Sequence, residues 1–222
     1  RQALLNDPRD PVIGDPKAPI TVVEFFDYRC GYCKAVAPEV LALVQANKDV
    51  RLVLKEMPIL SPQSETAARV ALAAAAQGKY AAVHRALMSE RALDDAAITR
   101  IAQANGVDPA KADAAALNAH IADVQKLAEA LRVTGTPAFV VGDRMIAGAD
   151  MDALKAAIEP ARKPRSSTSW TATVERLGSQ SARGRGDAHR PRQSNASGRG
   201  QINPLRGELG SAYMRLGMRP AR

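Results

Sequence analysis

Two cysteines, Cys30 and Cys33, are the only thiols among 222 residues, and they stand in the run "DYRCGYCKAVAP" with Gly31 and Tyr32 between them. Three chemistries use such a pair. A structural zinc site needs about four Cys or His ligands, and His84, His120 and His189 are scattered singly along the chain. Only a site shared between chains would complete the set. A static disulfide across so short a loop gains little from restricting the unfolded chain. The third use is thiol–disulfide exchange. A cysteine at a helix start meets unpaired N–H groups and the positive end of the helix dipole, which favour a thiolate. A second thiol one turn behind it can resolve a mixed disulfide. On this reading Cys30 is exposed and attacks, and Cys33 resolves.

The pair is positioned by what surrounds it. "ITVVEFFDY" (20–28) is nearly continuous apolar, β-branched and aromatic text, which predicts a strand covered on both faces. Residues 30–47 carry Val36, Val40, Leu41 and Val44 at helical spacing, with Pro38 expected to bend the helix. "VRLVLKEMPIL" (50–60) predicts a second buried strand, so the thiols sit where a strand hands over to a helix. Ahead of these, "RQALL" reads as the last turn of a helix, and "NDPRDPVIGDPKAP" breaks helical structure with four prolines.

After Pro62 the text turns alanine-rich and helical, broken at Gly78, Asn105–Gly106 and Asp108–Pro109, with Asp94 and Asp108 as N-caps. His84 and His120 fall in this text, where a surface or half-buried histidine is the ordinary expectation. "AFVV", a Gly142–Asp143 turn and "RMIAG" predict a hairpin, and "MDALKAAIEP" a closing helix capped by Asp150. The fold class is therefore α/β: a mixed sheet between helices, interrupted by an all-helical insertion.

Charge adds less than it promises. The net charge is +8, yet residues 166–222 hold ten arginines against Glu175, Asp187 and Glu208, which leaves residues 1–165 nearly neutral. That Arg-, Gly- and Ser-rich tail lacks apolar periodicity and is expected to be disordered. An RNA- or lipid-binding arm is the competing reading of it; no nucleic-acid partner is expected for the body of the chain. No apolar run reaches the ~18 residues of a membrane span. The chain starts at Arg1 rather than Met, consistent with a processed or trimmed form.

"VVEFFDYRCGYCKAVAP", followed at long range by "TGTPAFVVG", resembles the DsbA-like branch of the thioredoxin superfamily across roughly residues 12–162. The resemblance implies a thioredoxin fold from residues 12–61 and 132–163, with residues 62–131 as the helical insertion. Residues 1–11 then form a linker or helix remnant, and 164–222 the tail. It implies a cis peptide bond before Pro137, beside the cysteines, with the backbone of Thr136 free to pair with an extended client peptide. It also places an acid, here Glu24, beneath the second cysteine as a proton relay. Lys55, in "LVLKEMP" on the neighbouring predicted strand, is a candidate partner for that acid. Glu24 is equally readable as a structural ion pair or a side chain reaching out at a strand end.

The Gly31–Tyr32 dipeptide lacks the histidine of the archetypal DsbA oxidase, so a less oxidising couple is expected. Cys-Gly-Tyr-Cys with Thr before the proline is similar to DsbC-type isomerases, and ScsC-like proteins combine both sets of features. The function expected is formation or rearrangement of disulfides in exported, periplasmic client proteins. Its active group would be the Cys30–Cys33 disulfide, with no other cofactor and no metal. The partners implied are a DsbB-like or DsbD-like membrane protein and other copies of the chain, joined through further N-terminal helices. A copper-handling module using the thiols as ligands is the alternative.

Overall fold

The sheet grows from two strands, each buried at every residue but one. In a computed structural model describing residues 1–162, β1 spans Val12–Ile13, β2 Ile20–Phe26, β3 Val50–Glu56, β4 Ala138–Val141 and β5 Arg144–Ala147. The expectations for the arginine-rich tail lie outside the described residues. Strands β2 and β3 run parallel, Ile20 opposite Val50 through Phe26 opposite Glu56, and the other pairings are antiparallel, in the order β1-β3-β2-β4-β5. A parallel pair needs a crossover, and α2 (Gly31–Ala46) supplies it. That helix continues through Pro38.

Strand β1 is the element the proline-rich lead-in concealed. It survives there because it lies at the sheet edge, where the missing N–H of Pro11 costs no ladder bond and its carbonyl still accepts from the Leu54 N–H at 3.0 Å. Gly14 turns the chain out of it with φ +97°, and a Cβ there would stand 2.9 Å from Val44 Cγ1 and 3.0 Å from the Val50 carbonyl. Gly142, at φ 61°, supplies the positive φ that the two-residue hairpin turn between β4 and β5 requires.

Alternation along the strands sorts side chains into two layers. Val22, Phe26, Leu52, Leu54, Phe139 and Val141 face α2, α4 (Tyr80–Ser89) and α7 (Met151–Arg162). Val23, Phe25, Val53, Ala138 and Val140 face α6 (Ala114–Ala130), with Leu4 and Leu5 of α1 (Gln2–Leu5) packed alongside. Each large apolar side chain buried this way contributes about 1.5–3 kcal/mol.

The insertion between β3 and β4 holds α3 (Pro62–Ala76), α4, α5 (Asp95–Ala104) and α6. Ser61 caps α3 with Pro62 at its first position, and Asp94 caps α5. Asp108 caps only a three-residue 3₁₀ turn, and Asp113 caps α6. Asp150 caps α7, which runs two residues past Pro160.

Two expectations about histidine fail. His84 and His120 are each 2% exposed. Alanine-rich helices bring their backbones close to the sheet, and the imidazoles are enclosed rather than left at the rim.

Candidate active site

Strand β2 ends at Phe26, and three residues turn the chain into α2. The turn is braced by Asp27, which is itself buried. Its Oδ1 accepts the Arg29 N–H at 2.7 Å, and its Oδ2 accepts the Ile59 and Leu60 N–H groups at 2.8 and 3.1 Å. One carboxylate thus locks the cysteine turn to the segment that follows β3. Cys30 comes next, as the N-cap of α2.

Cys30 Sγ accepts the Cys33 N–H at 3.5 Å and lies 3.2 Å from the Thr136 carbonyl oxygen. The Thr136–Pro137 peptide bond is cis, and the Pro137 carbonyl is held by the Gly148 N–H at 2.8 Å. Cys30 is only 7% exposed, less than its position at a helix start suggested, because the Thr136 backbone stands over the sulfur. Gly31 and Tyr32 project outward instead. A Cβ on Gly31 would meet nothing within 4 Å, and Tyr32 is 72% exposed.

Cys33 is fully buried, and both thiols are free. Burial pushes the Cys33 thiol far above the ordinary range; the Asp27 backbone N–H works against this, while nearby Cys30 and Glu24 add to it. Glu24 projects from β2 into the layer beneath α2. Its carboxyl is buried, its Oε1 has no hydrogen-bond partner among the described residues, and burial raises its pKa to about 8.

Lys55 does not belong to this group. Glu24 is registered opposite Leu54 and Lys55 opposite Phe25, so the two side chains point to opposite faces of the sheet. Lys55 is bound by Asp10 Oδ2 and by the Ala3 carbonyl at 2.6 Å, with His120 Nε2 3.3 Å from the other Asp10 oxygen. The expected Glu24–Lys55 pair is absent, and Lys55 instead neutralises a buried aspartate.

The residue on the Glu24 face is Glu56, which sequence reasoning passed over. It is 1% exposed, and its Oε1 accepts hydrogen bonds from Tyr28 at 3.0 Å and Tyr80 at 2.8 Å. His84 Nδ1 is 3.0 Å from the Tyr28 hydroxyl, and the ring stacks on Tyr80 with centroids 5.5 Å apart. With the Tyr28 proton directed at Glu56, Nδ1 carries the hydrogen that reaches Tyr28. Burial lowers the His84 pKa to about 4 and lifts Glu56 well above the carboxylate range, the latter with an addition from Asp27 and Glu24. The one signal in the sequence was a carboxylate, Glu56, closing an otherwise mostly apolar strand; the residues that enclose it lie far apart along the chain.

Cys30, Gly31, Tyr32, Cys33, Thr136, Pro137 and Glu24 therefore gather at the C-terminal end of β2 and the start of α2. Among the described residues no three His, Cys, Asp or Glu side chains cluster as a metal site.

Comparison with known proteins adds to this geometry. The family described as "DSBA-like thioredoxin domain" matches residues 21–159. The crystal structure of a thioredoxin-like oxidoreductase from Silicibacter pomeroyi DSS-3 is 44% identical with a TM-score of 0.69, covering 74% of this chain and 99% of that one. The catalytic domain of Proteus mirabilis ScsC is 29% identical with a TM-score of 0.68, covering 72% and 93%. The thiol:disulfide interchange protein DsbA of Bordetella pertussis is 33% identical over 146 residues, 60% of this chain and 68% of that protein. The Na(+)/H(+) antiporter NhaA 3 of Salinispora tropica is 34% identical over 163 residues, and the chain spans only 24% of its length.

Proposed function

Because the chain belongs to the DSBA-like thioredoxin domain family, we propose that it catalyses thiol–disulfide exchange on exported proteins through Cys30 and Cys33. The observation that carries this reading is the asymmetry of the pair. Cys30 Sγ sits at a helix start, 3.2 Å from the Thr136 carbonyl, and Cys33 lies one turn behind it with no exposure. One sulfur meets the client; the other closes the ring.

In the oxidising direction a client thiolate attacks Cys30 Sγ of the Cys30–Cys33 disulfide. The S–S bond breaks, Cys33 leaves with its electron pair and takes a proton, and a Cys30–client disulfide forms. A second client thiolate then attacks the client sulfur and releases Cys30. Two electrons have passed from the client dithiol to the pair. Of the two protons the client thiols gave up on ionising, the equivalent of one ends on Cys33 and the other stays in solvent while Cys30 is a thiolate. In rearrangement, Cys30 attacks a client disulfide and is later displaced by another client thiol, with no net electron transfer. Glu24 is the group placed to hold the Cys33 proton: it is buried, has a free oxygen, and has a pKa of about 8. The Thr136 backbone is placed to pair with the client strand beside Cys30.

The disulfide is the only redox group this cycle needs inside the chain. Sustained oxidation requires a membrane protein that re-oxidises the pair, DsbB-like in chemistry, and sustained rearrangement requires a DsbD-like reductant. An exported, periplasmic setting suits both. The antiporter name belongs to much longer proteins, and ion exchange is not proposed for this chain.

The test is reduction of insulin by dithiothreitol. Wild-type protein should accelerate it and Cys30→Ser should abolish the acceleration; an equally active variant would refute the assignment. Refolding of scrambled ribonuclease then separates rearrangement from net oxidation.

A further inference from the structure

A groove of about 350 Å³ opens beside the thiols, between the starts of α2 and α3 and the loop joining α4 to α5. Arg29, Lys34 and Arg91 line it against one acid, Asp94. Arg29 precedes Cys30 and Lys34 follows Cys33, so the groove starts where a mixed disulfide would form.

Its cations are short of anions. Arg29 Nη1 reaches only neutral acceptors, Ser61 Oγ at 3.4 Å and Gln63 Oε1 at 3.2 Å. The Arg91 side chain has no hydrogen-bond or ion-pair partner among the described residues. The Lys34 ammonium donates to the carbonyls of Leu87 and Glu90 at 2.8 Å each, the end of α4, and makes no direct ion pair. The acids nearby are already engaged: Asp27 with the N–H groups of Arg29, Ile59 and Leu60, Asp94 with the Ala97 N–H at 2.7 Å, Glu90 with Arg100 at 2.7 Å, and Asp95 with Gln63 at 3.4 Å. Burial lowers the proton affinity of Lys34; the charges of Glu90 and Asp27 work against this from a distance, and that of Arg29 adds to it. Residues 1–165 are nearly neutral, so the patch is a local concentration.

The neighbourhood also indicates what kind of molecule brings the anion. Ile59 and Leu60 are 45% and 53% exposed, just before the Ser61 that Arg29 touches, and Tyr32 is 72% exposed between the cysteines. Apolar side chains beside unpaired guanidiniums suit a polypeptide carrying apolar and acidic residues. A guanidinium binds a carboxylate through two parallel hydrogen bonds.

Resting on the exchange reading above, we propose that this groove receives Asp or Glu side chains of the client, so that cysteines flanked by acidic residues are preferred. Charge complementarity at such a rim acts mainly on encounter and selectivity.

Three disulfide-bearing peptides that differ only in Asp, Gln or Lys beside the cysteine test this. For wild-type protein at low salt the Asp peptide should exceed the Lys peptide in kcat/KM by roughly tenfold, falling to within about twofold near 0.5 M KCl. Arg91→Gln should cut the ratio to about threefold, Arg91→Lys should restore part of it, and Arg29→Gln with Arg91→Gln should bring it close to one. Each ratio is taken within a single variant, so any change in Cys30 reactivity cancels. Equal exchange with all three peptides, or a preference unmoved by the substitutions, overturns the groove assignment alone. Exchange with none of them overturns the catalytic reading, and this one with it.

Discussion

Glu24 and Lys55 stand on neighbouring parallel strands and point to opposite faces of the sheet. The carboxyl under the cysteines therefore has no ammonium to hold its charge, and the ammonium on the far side is committed to Asp10. Each half of that relationship has a measurable consequence.

Glu24 has a pKa of about 8 in the folded chain, well above its ordinary 4.5, because burial disfavours the anion. The folded state thus holds a proton that the unfolded state has lost, and stability falls as pH rises between those two values. Glu24→Gln removes that dependence and should stabilise the protein by on the order of 3 kcal/mol at about pH 7, with little effect near pH 4. Urea unfolding of both proteins across this range is the check.

Lys55→Met should be costly for a different reason. It leaves Asp10 buried without its cation, a loss of about 3–5 kcal/mol. Adding Asp10→Asn should recover most of it, which thermal or urea unfolding of the double variant would show. Exchange by the protein that remains folded should be unaffected, since this pair lies across the sheet from Cys33.

His84 titrates in the opposite sense to Glu24. Its pKa is about 4 when folded against an ordinary 6.5, so the unfolded state binds more protons and stability rises with pH over that interval. At about pH 5 the deficit is near 2 kcal/mol. Between about pH 4.5 and 6.5 the two groups nearly cancel, and above that Glu24 acts alone of the two. Glu56, also raised by burial, acts in the same sense as Glu24, so the wild-type profile should decline gently below about pH 6.5 and more steeply above it. His84→Gln should steepen the decline below about pH 6.5, as read from unfolding midpoints.

Tyr80→Phe removes one of the two hydroxyl donors on Glu56 Oε1. A buried carboxyl left with a single partner should destabilise the fold by about 1–3 kcal/mol, with the loss growing at alkaline pH as the anion forms. Equal stability of the two proteins at pH 9 would show that Glu56 does not depend on Tyr80.

Much of this architecture is written in local patterns. Buried β-branched runs announced β2 and β3, helical spacing announced α2, and Cys30–Cys33 at the strand-to-helix junction with Thr136–Pro137 far along the chain marked the site. What stayed hidden depends on register. Whether Lys55 meets Glu24 turns on a one-residue offset that flips a side chain across the sheet. Strand β1 is two residues long and becomes a strand only by pairing with β3. Glu56 drew no reading from the sequence, because the tyrosines that enclose it come from residue 28 and from the helical insertion. The histidines looked peripheral for the same reason.

The most direct measurement is to trap the intermediate. Cys33→Ala incubated with a disulfide-bearing client peptide should accumulate a covalent adduct whose mass and fragmentation place the client on Cys30, whereas Cys30→Ala should accumulate none on Cys33. An adduct forming on Cys33 at a comparable rate, or none on Cys30, would contradict the division of labour between the two sulfurs.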